Sequence, residues 1–168
     1  THECSSAASD VYKRQTVLVT GASGHVGANI VAHLCRAGLR PRVLLRPTSS
    51  TAGIADLDVE TVIGDVTRPD SLTAAMKGVA VVYHAAAVVG FSRRQRDLLD
   101  RVNVQGTQNV IDACLGAGVQ RMVFTSSVAA VGHAPSRDQP IDETAAWNFG
   151  EHDLVYADSK YRSEAVSY

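Results

Sequence analysis

The feature that most limits what this chain can fold into is Gly21-Ala22-Ser23-Gly24-His25-Val26-Gly27, a turn with three glycines at three-residue spacing. It stands between an apolar run and an amphipathic one. Thr16 to Thr20 before it reads as a buried strand, while Val26, Ile30, Leu34 and Ala37 after it share one face of a helix that Gly38 would stop. Such a turn leaves backbone N–H groups free at the positive end of a helix, where a pyrophosphate can sit. Gly21 permits the tight turn, Gly24 lets the backbone approach phosphates with no Cβ in the way, and Gly27 allows close helix-to-sheet packing. Ser23, His25 and Val26 complete the candidate phosphate-binding set. The spacing is one residue longer in its first gap than the G-x-G-x-x-G fingerprint of dinucleotide sites.

The rest of the chain continues the alternation. Arg42–Leu45, Val59–Ile63, Val79–Tyr83 and Val119–Thr125 read as four more strands. Pro69 suits the first turn of an intervening helix and Gly78 its end, and Leu98–Leu115 reads as one long helix. Strands alternating with helices predict an α/β fold with a parallel sheet, and right-handed crossovers give the order 3-2-1-4-5 with a ligand at the switch between strands one and four. With 45% hydrophobic and 20% charged residues in a chain of 168, one domain is expected, over residues 16–168. Residues 1–15 are polar and without period, and Asp10 to Gln15 looks like a translated transposon-end adaptor, so that arm is expected to be a disordered sequencing artefact. At the other end, Tyr156 to Tyr168 is helical in pattern with no glycine, proline or cap to stop it, the mark of a chain truncated at its C-terminus.

Charge and cysteine usage narrow the partners. A net charge of -1 with scattered histidines gives no basic face for nucleic acid or for a membrane surface, which leaves a small molecule. Cys4, Cys35 and Cys114 have neither CxxC spacing nor an even count, so disulfides and a metal site are not expected. No run approaches the roughly 18 to 20 apolar residues of a membrane span and no signal-peptide core opens the chain, so the expected location is cytoplasmic.

The candidate chemistry lies near the C-terminus. Tyr156-Ala157-Asp158-Ser159-Lys160 places a tyrosine and a lysine on one helical face by i,i+4 spacing. A free tyrosine titrates near pH 10, too high for a base at neutrality, but a neighbouring ammonium and an oxidised nicotinamide both favour the phenolate. Tyr156 could then exchange a proton with a substrate oxygen while hydride moves, with Lys160 also binding the nicotinamide ribose. Phe124-Thr125-Ser126-Ser127-Val128 supplies a hydroxyl from either Ser126 or Ser127 to bond the same oxygen. For the other end of the cofactor, an NAD site needs a carboxylate after the second strand and an NADP site an arginine. Arg46 stands there, and no Asp or Glu lies between Ala28 and Ala55, which favours NADP with NAD as the alternative.

The glycine turn, the serine pair and the Tyr-x-x-x-Lys set together resemble the extended short-chain dehydrogenases of the NAD-dependent epimerase/dehydratase type. The runs Val43 to Ser49 and Val123 to Ser127 are similar to bacterial dihydroflavonol-reductase-like proteins and hopanoid-associated sugar epimerases. The resemblance implies a Rossmann-type doubly wound sheet and hydride transfer at a secondary alcohol or ketone, the substrate a nucleotide sugar or a dihydroflavonol-like ketone. It also selects Ser127 over Ser126 for catalysis and leaves Thr125 and Ser126 beside the cofactor. Gly64-Asp65-Val66 resembles the adenine-contacting turn of these enzymes, with Asp65 accepting from the adenine amino group and Val66 packing on the ring. His84-Ala85-Ala86-Ala87 resembles their small-residue wall, where Ala85, Ala86 and Ala87 make room for the cofactor and His84 is structural. Asn103 matches an Asn-x-x-Gly-Thr segment in which the Asn braces the active-site backbone, though an inert helix asparagine fits equally. A homodimer through Ala157, Tyr161, Ala165 and Tyr168 is implied for the full-length form, and the alternative packs that stripe on its own sheet. The competing function is a redox sensor that holds NADP without chemistry.

Overall fold

A computed structural model describes residues 16–167. The arm of residues 1–15, with Cys4, and the terminal Tyr168 lie outside the described residues. Five parallel strands form one sheet in the order β3-β2-β1-β4-β5, as the crossover argument requires. They are β1 Thr16–Thr20, β2 Arg42–Leu45, β3 Glu60–Ile63, β4 Val79–His84 and β5 Arg121–Phe124.

The pleat divides the core in two. In β1, Leu18 turns to one face with Leu72, Met76, Val82 and Val110, and Val19 turns to the other with Val31, Val43, Leu45 and Ile54. Helices cover both faces there, so Val17, Leu18 and Val19 are all buried, each contributing on the order of 1.5–3 kcal/mol. By contrast β3 alternates half-buried and exposed residues, as an edge strand does.

Between the strands run α1 His25–Arg36, α2 Pro69–Ala75, α3 Arg96–Leu99 and α4 Gly106–Ala117, and α5 Val155–Ala165 follows the last strand. The expected long helix is present but interrupted. Asp100–Gln105 forms a π turn between α3 and α4, which hydrophobic spacing cannot reveal. β5 is shorter than Val119–Thr125, because the Val119 N–H closes the end of α4 on Cys114 O at 2.9 Å instead of joining the sheet. Cys35 and Cys114 are free thiols. Among the described residues no helix is long and apolar enough to cross a membrane.

Thr20 and His84 are register partners at the ends of β1 and β4, and the Ala85 N–H continues the ladder to Thr20 O at 3.2 Å. Beyond them the chain departs in opposite directions, to α1 and to the alanine run. This divergence opens the crevice in which doubly wound sheets bind ligands.

Candidate active site

The glycine turn is shaped by its neighbours. Gly21 has φ +70°, and a Cβ there would stand 2.6 Å from the Ala85 carbonyl and the Ala86 nitrogen. A Cβ on Gly27 would meet Gly21 O at 2.1 Å, so the packing that glycine permits is between α1 and the turn itself. Gly24 is less constrained: its φ is −87°, and a Cβ there would crowd Gly21 O at 3.3 Å, asking the turn to give by a few tenths of an ångström. Gly24 opens α1 with no side-chain cap and no acidic residue in the first turn, which leaves the positive helix end to an anion.

In front of this turn lies a cleft of about 240 Å³. It brings together nine of the expected cofactor residues, Gly21, Ser23, Gly24, Arg46, Asp65, Val66, Ala85, Ala86 and Ala87. His25 and Val26 do not line this cleft: both line a groove with Ile30, His33 and Tyr83, and His25 also lines a hollow beside Ser23 and Gly24. Arg46 is exposed at the end of β2 and enters no ion pair among the described residues. The carboxylate of Asp65 is partly engaged, its Oδ1 accepting from Thr67 N and Oγ1, both at 2.8 Å. Val66 is 6% exposed and contributes more to the core than to the cleft wall. The turn in which Gly21 and Gly27 admit no side chain, the uncapped helix and the arginine without an ion pair together fit a group carrying phosphates.

Behind the alanine wall lies a buried polar relay. His84 is fully buried, with Nδ1 2.7 Å from Thr20 Oγ1 and Nε2 3.0 Å from Thr107 Oγ1. The Thr107 hydroxyl already donates to Asn103 O at 2.6 Å, so His84 must donate from Nε2 and accept at Nδ1. Burial, with the Lys160 charge added, pushes its pKa down to about 3, which keeps it neutral and structural. Asn103, also buried, accepts from Val88 N at 2.8 Å and donates to Val88 O at 3.0 Å and to Ser159 Oγ at 2.9 Å. It is therefore a brace between the wall and α5, and its amide is fully used. Thr20, Thr107 and Ser159 were missed by sequence reasoning, although Thr107 stands four residues after Asn103 and Ser159 three after Tyr156.

The catalytic candidates come from two elements. The short turn Val128–Ala130 after β5 is capped by Ser127, whose Oγ accepts from Ala129 N at 3.2 Å and keeps its proton to donate. The Ser126 hydroxyl instead donates to Glu164. On α5 the half-buried Tyr156 ring meets Phe91 edge-on at 6.2 Å, and Ser159 Oγ donates to Tyr156 O at 2.8 Å. Lys160 is 2% exposed, turned inward over the Phe124 ring at 4.4 Å, and donates to Thr125 O at 2.8 Å. Burial pushes its pKa down to about 8 against the opposing pull of Glu164, so near neutrality it is still an ammonium, held where it pins the end of β5. In the stripe read as a dimer face, Ala157 is buried within the chain, Tyr161 stacks on Trp147 at 4.4 Å but stays 41% exposed, and Ala165 is exposed.

Comparison with known proteins agrees with this geometry. Residues 18–167 match the model of the 3-beta hydroxysteroid dehydrogenase/isomerase family. A putative dihydroflavonol 4-reductase of Synechocystis is 37% identical over 146 residues, 87% of this chain and 42% of that protein. Sterol demethylase protein B of Methylococcus capsulatus is 42% identical over 120 residues, 71% of this chain and 37% of that protein. The crystal structure of gox2253 superposes with a TM-score of 0.81 at 39% identity, over 90% of this chain and 46% of that one. A short-chain dehydrogenase/reductase superfamily protein from Agrobacterium tumefaciens, solved with bound NAD, does so with a TM-score of 0.71 at 30% identity, over 91% and 44%. The chain thus spans about two fifths of the length of these curated relatives. With its sheet order, its glycine turn and its match over nearly all the described residues, the chain belongs to the 3-beta hydroxysteroid dehydrogenase/isomerase family, within the extended short-chain dehydrogenases.

Proposed function

We propose that the chain is the nucleotide-binding part of an NAD(P)-dependent oxidoreductase acting on a secondary alcohol or ketone. The observation that carries this reading is the cleft at the β1/β4 divergence, floored by a turn in which Gly21 and Gly27 admit no side chain. The turn and the first N–H groups of α1 would hold the pyrophosphate, and Ala85 to Ala87 would leave room beside it. Arg46 would meet a 2′-phosphate with a charge-assisted contact, which makes NADP the preferred cofactor. When bound, the nicotinamide supplies or accepts the hydride. Tyr156 moves a proton at the substrate oxygen, and Ser127 donates to that oxygen from the hydroxyl its capping bond leaves free. Lys160 stabilises the charge on Tyr156 from behind and fixes the Thr125 backbone against which the ribose would lie.

The rim of this site favours an apolar substrate over a nucleotide sugar. Phe91, against the Tyr156 ring, is 83% exposed, and Val128, next to Ser127, is 86% exposed. Large side chains left so open beside the reacting groups invite an apolar body to cover them. The test is turnover by the full-length protein with NADP or NAD and, in turn, a 3β-hydroxysteroid, a dihydroflavonol and UDP-glucose. Net cofactor reduction or oxidation with one of the first two supports the reading. Isomerisation of UDP-glucose without net change makes the protein an epimerase, and tight dinucleotide binding with no turnover makes it a sensor. A homodimer of the full-length form is also part of the proposal, resting, on α5, on the exposed Tyr161 and Ala165. A strict monomer in sedimentation at micromolar concentration would remove it.

A further inference from the structure

Asp153 is the one described residue other than glycine with a left-handed backbone, φ 50° and ψ 40°. Side chains rarely accept that conformation, and aspartate is among the few that do. The residue stands three before Tyr156, and Leu154, which opens α5, supplies no side-chain cap. A first helical turn left uncapped is prone to fray. We propose that Asp153 is a positioning residue for Tyr156, acting through a chain of alternating charges that fastens the start of α5 to the α3 region.

The chain of charges is continuous. Asp153 Oδ2 pairs with Arg93 Nε at 2.5 Å, and its Oδ1 pairs with Arg96 Nη2. Arg96 Nη1 reaches Asp158 Oδ2 at 3.7 Å, which Arg162 Nη1 approaches at 3.4 Å, and the same Arg162 nitrogen bonds Asp100 Oδ1 at 2.7 Å. Three arginines thus alternate with three aspartates, Arg93, Arg96 and Asp100 on one side of the seam and Asp153, Asp158 and Arg162 on the other. Single exposed pairs hold little, whereas a connected network with several geometric restraints can fix a segment. Tyr156 lies between Asp153 and Asp158 and so within the clamped stretch. From the buried side the same turn is held by Asn103 through Ser159, whose hydroxyl bonds Tyr156 O. Two restraints, one buried and one at the surface, therefore converge on the residue whose placement the reaction needs. No member of the network belongs to the glycine turn or the Arg46 site, so the clamp should act on turnover and not on cofactor affinity.

The inference rests on Tyr156 being the acid–base group. Its test uses the full-length protein, the most active of the three probe substrates above, and a 3-fluorotyrosine placed at position 156 and read by fluorine NMR. Asp153→Asn keeps the left-handed tendency and removes the charge, whereas Asp153→Gly relieves the backbone and removes the charge. Both should lower kcat about tenfold, the scale of a sub-ångström misplacement, with dinucleotide Kd unchanged. The fluorine line should broaden or split in both. Arg93→Gln with Arg96→Gln should give the same loss, and adding Asp153→Asn should bring little more, since the groups act as one unit. Wild-type kcat and a single sharp line in Asp153→Asn would overturn the clamp, as would full activity in Asp153→Gly. If Tyr156→Phe keeps wild-type turnover, or no probe turns over, the assignment of Tyr156 is what fails, and the fluorine line alone then decides whether Asp153 anchors that residue.

Discussion

The buried His84 ties stability to pH in a way that can be worked out in advance. In the native protein its pKa is about 3, against an ordinary value of 6.5, because burial and then the Lys160 charge disfavour the imidazolium. The unfolded chain takes up this proton as pH falls through about 6.5, and the native state declines it until about 3. Between those values the unfolded state binds more protons, so stability falls with falling pH. One proton of difference corresponds to about 1.4 kcal/mol per pH unit, and integrating from pH 7 to pH 5 gives a loss of roughly 2 kcal/mol. The window stops at 5 to stay above most carboxylate titration. His84→Gln keeps a donor for Thr107 and an acceptor for Thr20 but carries no titrating proton. Urea unfolding of the full-length protein and of the variant, in steps from pH 7 to pH 5, should show the wild type losing roughly 2 kcal/mol more than the variant. Parallel curves would refute the reasoning, because they would mean that the native imidazole accepts its proton as readily as the unfolded one.

Three further expectations concern the site. Tyr156→Phe should lower turnover by at least about a hundredfold with cofactor affinity nearly intact, by steady-state rates and dinucleotide titration, and a variant near wild-type turnover would remove Tyr156 from the mechanism. Arg46→Ala should abolish a preference for NADP over NAD, measured by calorimetry, and equal affinities in the wild type would refute the assignment. Residues 16–168 expressed alone should bind dinucleotide weakly and turn over no probe, because apolar side chains such as Val26 of α1 and Val123 of β5 are left exposed. Comparable catalysis by that piece and the full-length protein would show the functional unit to be smaller than proposed.

What could be read in the sequence was whatever repeats with a period or needs a special backbone. Buried runs such as Val17 to Val19 marked strands, Gly38 and Gly78 marked helix ends, with φ of 78° and 71°, and the crossover rule ordered the sheet. The glycine turn was legible because two of its glycines are dictated by backbone contact. Side-chain partnerships across long sequence distance were not legible. Nothing local says that Asn103 reaches Ser159, 56 residues on, or that Arg96 meets Asp153, 57 residues on. The inward turn of Lys160 was hidden for the same reason: i,i+4 spacing places it beside Tyr156, and only packing against Phe124 shows that its ammonium faces β5.

The π turn at Asp100–Gln105 also bears on which genetic changes this fold can absorb. An α-helix turns about 100° per residue, so a turn holding one extra residue puts everything before it out of phase with everything after it by about that angle. Before and within the turn, Arg96, Asp100 and Asn103 face α5, and beyond it Val110 and Cys114 pack in the core against the sheet. Loss of a single codon between 100 and 105 would heal the helix into regular α form and improve its hydrogen bonding. It would also rotate either the brace or the core face out of alignment. The stretch is thus intolerant of length change, and insertions or deletions should be far more damaging there than in the exposed loops elsewhere in the chain.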